Sequence, residues 1–133
     1  MSIFTKIINN ELPSYKVAES EKFFAFLDIN PNAKGHTLVV PKQEENKIFD
    51  LSKEDYLELL DFSYDVAKAL EKAISCERVG ISVIGLEVPH VHVHLVPTNV
   101  MADMQFTKKE SFSDSEFKTI AKSIAKALDT TLA

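Results

Sequence analysis

The chain has 133 residues, 45% hydrophobic and 26% charged, with a formal net charge of -5, a globular composition long enough to bury a core and unlike that of a disordered chain. No basic cluster offsets that charge, which argues against a duplex DNA or RNA binder, whose affinity rests on many phosphate contacts. Cys76 is the one cysteine, so no internal disulfide and no cysteine-rich zinc site is expected, and a lone thiol suits a reducing, cytoplasmic setting.

MSIFTKIINNELP has no apolar signal region, and no apolar run approaches bilayer length, so no membrane partner is expected. No repeat or linker divides the chain, which reads as one domain over residues 1–133. In SIFTKIINNE, apolar residues at helical spacing predict a short amphipathic helix ending before Pro13. SYKVAES and EKFFAFLDI read as two strands joined by a tight turn near Ser20 and Glu21. PNAKG is turn chemistry, and HTLVVPK is a third strand that stops at Pro41. Ser52 then caps a long helix, with Leu51 and Tyr56 spaced as a hydrophobic staple. Its apolar stripe runs from Tyr56 to Ile74. RVGISVIG is a fourth strand, and a fifth follows at residues 88–97. A last helix, about 113–129, opens on a capping box of Ser113 and Glu116, with a second staple between Phe112 and Phe117. Hairpin-type connections favour an α+β fold with an antiparallel sheet and segregated helices. An open sheet edge makes pairing with a second copy, a homodimer, an expected way to cover it.

The fifth strand, VPHVHVHLVP, holds three of the four histidines at every second position. A strand projects alternate side chains to one face, so His90, His92 and His94 share a side and Val91, Val93 and Leu95 fill the other. Burial of three imidazoles without partners would strand several polar nitrogens, so a plain core strand has no use for the pattern. His36 opens the third strand beside a turn and can approach the same face. Neutral imidazoles of this kind serve as nucleophiles and anion donors, or as metal ligands, with His36 or Glu87 completing a metal set. Spacing leaves both open.

HVHVHLV fills every position of His-φ-His-φ-His-φ-φ, where φ is apolar, and Pro97 follows it. With IFTKIINNELP and FFAFLDINPNAKGHTLVVPK upstream in the right order, the chain closely resembles the histidine triad (HIT) proteins, nucleotide hydrolases and transferases. The resemblance runs from residue 2 to about residue 100 and leaves the C-terminal helix outside it. It implies a five-stranded antiparallel sheet, usually doubled across a homodimer. It also implies that His92 attacks the α-phosphorus of a nucleotide and carries a nucleotidyl intermediate. His94 would donate to a phosphate oxygen, His90 would hold the neighbouring ring, and His36 would line the phosphate end. Phe4, Ile7, Phe26 and Ile29 would sandwich the base, and Asp28 would accept from the ribose hydroxyls.

The chain departs from the family before the triad. Hydrolase members carry a Gly-rich loop there, an asparagine on the preceding strand, and a hydroxyl residue three positions ahead of the first histidine. SVIGLEVPH is shorter and places Glu87 at the hydroxyl position, where an ionised carboxylate would repel phosphate; Glu87 could instead be a protonated acid, bind an amine leaving group, or point outward. Ser2 and Thr5 fall near the places of a zinc-binding cysteine pair found in some members, so no structural zinc is expected. Three functions follow. The first is hydrolysis of nucleoside phosphoramidates or dinucleoside polyphosphates, with no required cofactor beyond a divalent cation that can accompany polyphosphate. The second is a nucleotide-binding module with vestigial catalysis, and the third a metal site on the histidine face. The expected partner is a purine nucleotide or nucleotide conjugate.

Overall fold

The computed structural model describes residues 1–132. Three helices and five strands follow one another as α1 (Ile3–Ile8), β1 (Lys16–Glu19), β2 (Phe23–Leu27), β3 (Thr37–Pro41), α2 (Lys53–Ala73), β4 (Arg78–Ser82), β5 (Val93–Thr98) and α3 (Asp114–Leu132). Short 3-10 turns lie at Ile48–Asp50 and Met101–Met104. The strands form one sheet in the order β1-β2-β3-β5-β4, every neighbouring pair antiparallel. This is the expected α+β architecture.

Both faces of the sheet are covered at its central strands, which is why β2 and β3 read as unbroken apolar runs. Alternate residues go to opposite sides. Phe23, Ala25, Leu27, Val39, Val93 and Leu95 pack into the main core with α2 and α3. Phe24, Phe26, Leu38 and Val40 face the other way and form a smaller cluster with Phe4 of α1. The histidines singled out in the sequence face this second side. Phe26 pairs with Leu38, and Leu38 with His94, so a single row across the sheet runs from the aromatic cluster to an imidazole.

The helix ends follow local chemistry. Ser52 Oγ accepts from the Asp55 amide at 3.0 Å, and Leu59, Val66 and Leu70 along α2 are fully buried. The Glu116 carboxylate accepts from the Ser113 amide at 2.8 Å while Ser113 Oγ accepts from the Glu116 amide, the reciprocal box expected at α3. Phe112 and Phe117 meet with ring centroids 5.5 Å apart, and Phe117 stacks on Tyr15 of the segment before β1 at 4.9 Å. Ile120, Ala121 and Ile124 carry α3 into the main core. Burying Ile124 alone is worth about 2–3 kcal/mol. The C-terminal helix therefore closes one layer of the fold.

The predicted turn at PNAKG delivers His36 to the sheet through Gly35. Its φ of +90° lies in the left-handed region, and an added Cβ would come within 3.0 Å of Ile74 Cγ1 and 3.2 Å of Pro97 Cγ. Glycine is thus required both by the backbone and by the space.

One expectation needs correction. The histidine strand was expected over residues 88–97, but β5 begins only at Val93. His90 and His92 lie ahead of the ladder on backbone that folds back on itself. The His90 amide donates to the Val88 carbonyl at 2.8 Å, and the Val91 amide to the Glu45 carbonyl at 2.7 Å. The alternation of faces nevertheless holds, with Val91 in the main core and the histidines on the other side. No described helix is long and apolar enough to cross a membrane.

Candidate functional site

Four imidazoles line the second face near the start of β5, and their hydrogen bonds set their protons. The backbone amide of Asn32 donates to His36 Nδ1 at 3.0 Å. That nitrogen is therefore an acceptor, so the proton of neutral His36 sits on Nε2, 3.0 Å from His94 Nδ1. His94 Nδ1 must then accept, which leaves His94 Nε2 as an outward N–H donor. Burial, with repulsion from neighbouring positive groups second, holds His36 down to a pKa of about 3 and His94 to about 4. Both rings are neutral at pH 7, as the chain of hydrogen bonds requires.

His92 is arranged in the opposite sense. Its Nδ1 lies 2.7 Å from the His90 carbonyl and can only donate to it, so Nε2 keeps the lone pair. No described residue engages that nitrogen. The ring stands edge-on to Phe4 at 5.0 Å and to His94 at 4.9 Å. A bare basic nitrogen beside an outward N–H is the pairing of a nucleophile with an anion donor.

His90 does not point at this pair of groups. Its Nε2 donates to the Pro41 carbonyl at 2.8 Å, and its Nδ1 receives the Ser2 hydroxyl at 2.6 Å. Ser2 is in turn the N-cap of α1, its Oγ accepting from the Thr5 amide. Glu44, on the loop after β3, accepts from the Ser2 amide and from the Thr5 hydroxyl, bonds that hold its carboxyl at a pKa of about 2. The knot fastens α1, and with it Phe4, over the histidines. Ser2 and Glu44 were not foreseen as site residues. Ser2 carries a helix-cap signal in the sequence; Glu44 carries none.

The expected nucleoside positions are mixed in placement. Phe4 and Phe26 are buried and meet edge to face at 5.7 Å, and Ile7 packs partly against them. Ile29 is 72% exposed on the loop after β2. Asp28 is half-buried; burial raises its pKa, while the Asn30 amide on Oδ1 and the charge of Lys109 pull it back. Glu87 is exposed on the loop before the histidines, with no hydrogen bond or ion pair to other described residues.

Asp28, His36 and His94 each bring one ligand-type atom to within 4.8 Å of the others. As a metal set they fit poorly. The proton on His36 Nε2 occupies the gap to His94, and moving it to Nδ1 would set two donors, ring and Asn32 amide, against each other. The hydrogen-bonded chain runs from the Asn32 amide through His36 to His94, and Asp28 Oδ2 stands beside it, 3.7 Å from His36 Nε2.

A segment beyond β5, missed in the sequence, closes the far side. Phe106 stands edge-on to His94 at 4.7 Å and to His36 at 6.1 Å. Its φ of 61° lies in the left-handed region, a conformation that costs a bulky residue about 1–3 kcal/mol. Asp103 holds the bend that leads there, accepting from the Asn99 and Val100 amides and pairing with Lys108 at 3.0 Å.

A HIT domain model matches residues 9–101, which include all four histidines. The chain belongs to the HIT family. An uncharacterized HIT-like protein of Methanocaldococcus jannaschii is 46% identical over 104 residues, covering 73% of this chain and 78% of that protein. The adenosine 5'-monophosphoramidase of Saccharomyces cerevisiae is 39% identical over 100 residues, 71% of this chain and 61% of the yeast protein. A crystal structure of a HIT-like protein of Bartonella henselae described as involved in cell-cycle regulation superposes with a TM-score of 0.82, at 30% identity and 95% coverage of both chains. The HIT match stops short of Phe106 and of α3.

Proposed function

We propose that this HIT protein hydrolyses nucleoside 5'-phosphoramidates, with dinucleoside polyphosphates as the next substrate class, through a nucleotide carried on His92. The observation that carries the proposal is the commitment of His92 Nδ1–H to the His90 carbonyl, which leaves Nε2 basic and bare. The activity of the yeast relative supports the choice of a phosphoramidate. The Nε2 lone pair forms a bond to the α-phosphorus as the phosphorus–nitrogen bond breaks. The amine leaves with the bonding pair and takes a proton from solvent. Positive charge that develops on the ring is met by the His90 carbonyl, and His94 Nε2–H donates to a non-bridging phosphate oxygen. Water then adds to phosphorus, gives up a proton to solvent, and returns His92 with release of the nucleoside monophosphate.

Phe4, Ile7, Phe26 and Ile29 take the base in this reading, with Asp28 accepting from the ribose. The free carboxylate of Glu87 suits a cationic amine leaving group. Rapid quenching during turnover of a phosphoramidate labelled at its α-phosphorus is expected to trap an acid-labile label on His92. Turnover with no trapped label at any time would overturn the covalent route.

The homodimer belongs to the same proposal. β4 is a free sheet edge, and Ile81, Ile84 and Leu86 on and after it are 56%, 54% and 90% exposed. Pairing β4 with its copy would continue the sheet and cover them. Light scattering is expected to give about twice the 14.9 kDa chain mass, and Ile81→Lys to shift the protein toward monomer. A wild-type mass of one chain at tens of micromolar would remove the dimer.

A further inference from the structure

Asn32 is fully buried, and all its polar groups outside the carbonyl are used on one task. Its amide holds the His36 tautomer, its Nδ2 donates to the Asp103 carbonyl at 3.0 Å, and its Oδ1 accepts from Lys109 Nζ at 2.8 Å. The Glu110 amide adds a bond to the Pro31 carbonyl at 2.8 Å. The loop that carries His36 and the segment after β5 are thus stitched together. That segment brings Lys109 Nζ to 5.3 Å from the centroid of Phe106, the ring that lies against His94.

The charge of the site makes this lysine stand out. A phosphoryl group is anionic, yet His36 and His94 are neutral and Asp28 is an acid. Lys109 is the lysine whose charge is felt at Asp28, His36 and His94 together. Its ammonium has three donors, so one can stay on Asn32 Oδ1 while another meets a ligand beside the ring of Phe106. Lys109 and Phe106 both lie beyond the residues matched by the HIT model.

We propose that Lys109 is a specificity-determining residue of the nucleotide site: held by Asn32 beside His36 and His94, its ammonium binds a phosphoryl oxygen of the ligand. The inference rests on the nucleotide reading above and names the group that recognises its charge. Through Lys109 the site distinguishes a nucleotide from the uncharged nucleoside. Phe106, in its left-handed backbone conformation, keeps the lysine and His94 on the same side of the ligand.

Calorimetry of AMP and of adenosine, with the full-length protein at two salt concentrations, tests this. Lys109→Met is expected to weaken AMP by about tenfold, the worth of one charge-assisted contact, while adenosine changes less than about twofold. Lys109→Arg should restore most of the AMP affinity, and the salt dependence of AMP binding should flatten in Lys109→Met alone. A lysine that only fastens the segment would, when replaced, weaken both ligands alike and lower the melting temperature; that result overturns the inference, as does unchanged AMP affinity. If wild-type protein turns over a phosphoramidate while Lys109→Met binds AMP normally, this inference fails and the proposed function stands. If wild-type protein binds neither AMP nor adenosine, both fail.

Discussion

Replacing His92 by alanine is expected to lower turnover of a nucleoside phosphoramidate by about 10⁴-fold or more, the scale on which loss of an attacking group acts elsewhere. AMP affinity should stay within a few-fold. The two effects separate because the ring supplies one bond-forming nitrogen, while Phe4, Phe26 and Asp28 stand on other elements. Removing the imidazole does take a packed ring away from Phe4 and His94, so the variant will melt lower than the parent. His92→Asn is the sharper form of the test. An asparagine amide reaches about as far as Nδ1 and can still donate to the His90 carbonyl, so local geometry survives without a nucleophile. Both variants should be equally inactive. Either one turning over substrate at the wild-type rate would show that His92 does not attack phosphorus.

Acidification is expected to have the second large effect, on the fold itself. In the unfolded chain His36 and His94 would each bind a proton near pH 6.5, whereas in the folded protein they do so only near 3 and 4. Between those values the unfolded state holds more protons, so unfolding becomes easier as pH falls. The stability is fully present above about 6.5 and is lost on the way down to 4 and then 3. At about 1.4 kcal/mol per unit, the two rings together stand for a loss on the order of 6 kcal/mol by pH 4, comparable to the whole stability of many domains. His90, also lowered by burial, acts in the same direction. Asp28 acts against it, since its raised pKa favours the folded state as that carboxyl protonates. Urea midpoints measured from pH 7 to pH 4 should fall steadily; a midpoint unchanged over that range would contradict the neutral pair.

The sequence made the sheet, both long helices and their caps readable because each rests on local chemistry. Ser52, Ser113 and Glu116 are signals confined to a few residues, and the alternation of Phe23 to Leu27 is a period that packing on both faces preserves. The triad was legible for the same reason, and its shared face is found. Its strand boundary was not, because the His92 ring bonds the His90 carbonyl and the Val91 amide leaves for Glu45. Those are bonds to partners that alternation does not encode. His36 could be placed near the triad from its turn, but its tautomer depends on the Asn32 amide, a main-chain group that every non-proline residue possesses. Glu44, Phe106 and Lys109 were invisible for a further reason. They belong to loops outside the histidine pattern, Phe106 packing on His94 from the segment after β5 and Glu44 acting through Ser2 and Thr5, and a lone charged or aromatic residue in a loop has no pattern to betray it.

The Asn32 amide at the head of the imidazole chain has one more implication. A main-chain N–H cannot titrate and does not rotate on a side-chain bond, so the row from His36 to His94 has a built-in polarity, like a wire soldered at one end. Solvent can exchange its hydrogens without reversing their order. The direction in which His94 offers its hydrogen is therefore inherited from the loop, not negotiated afresh with each incoming molecule.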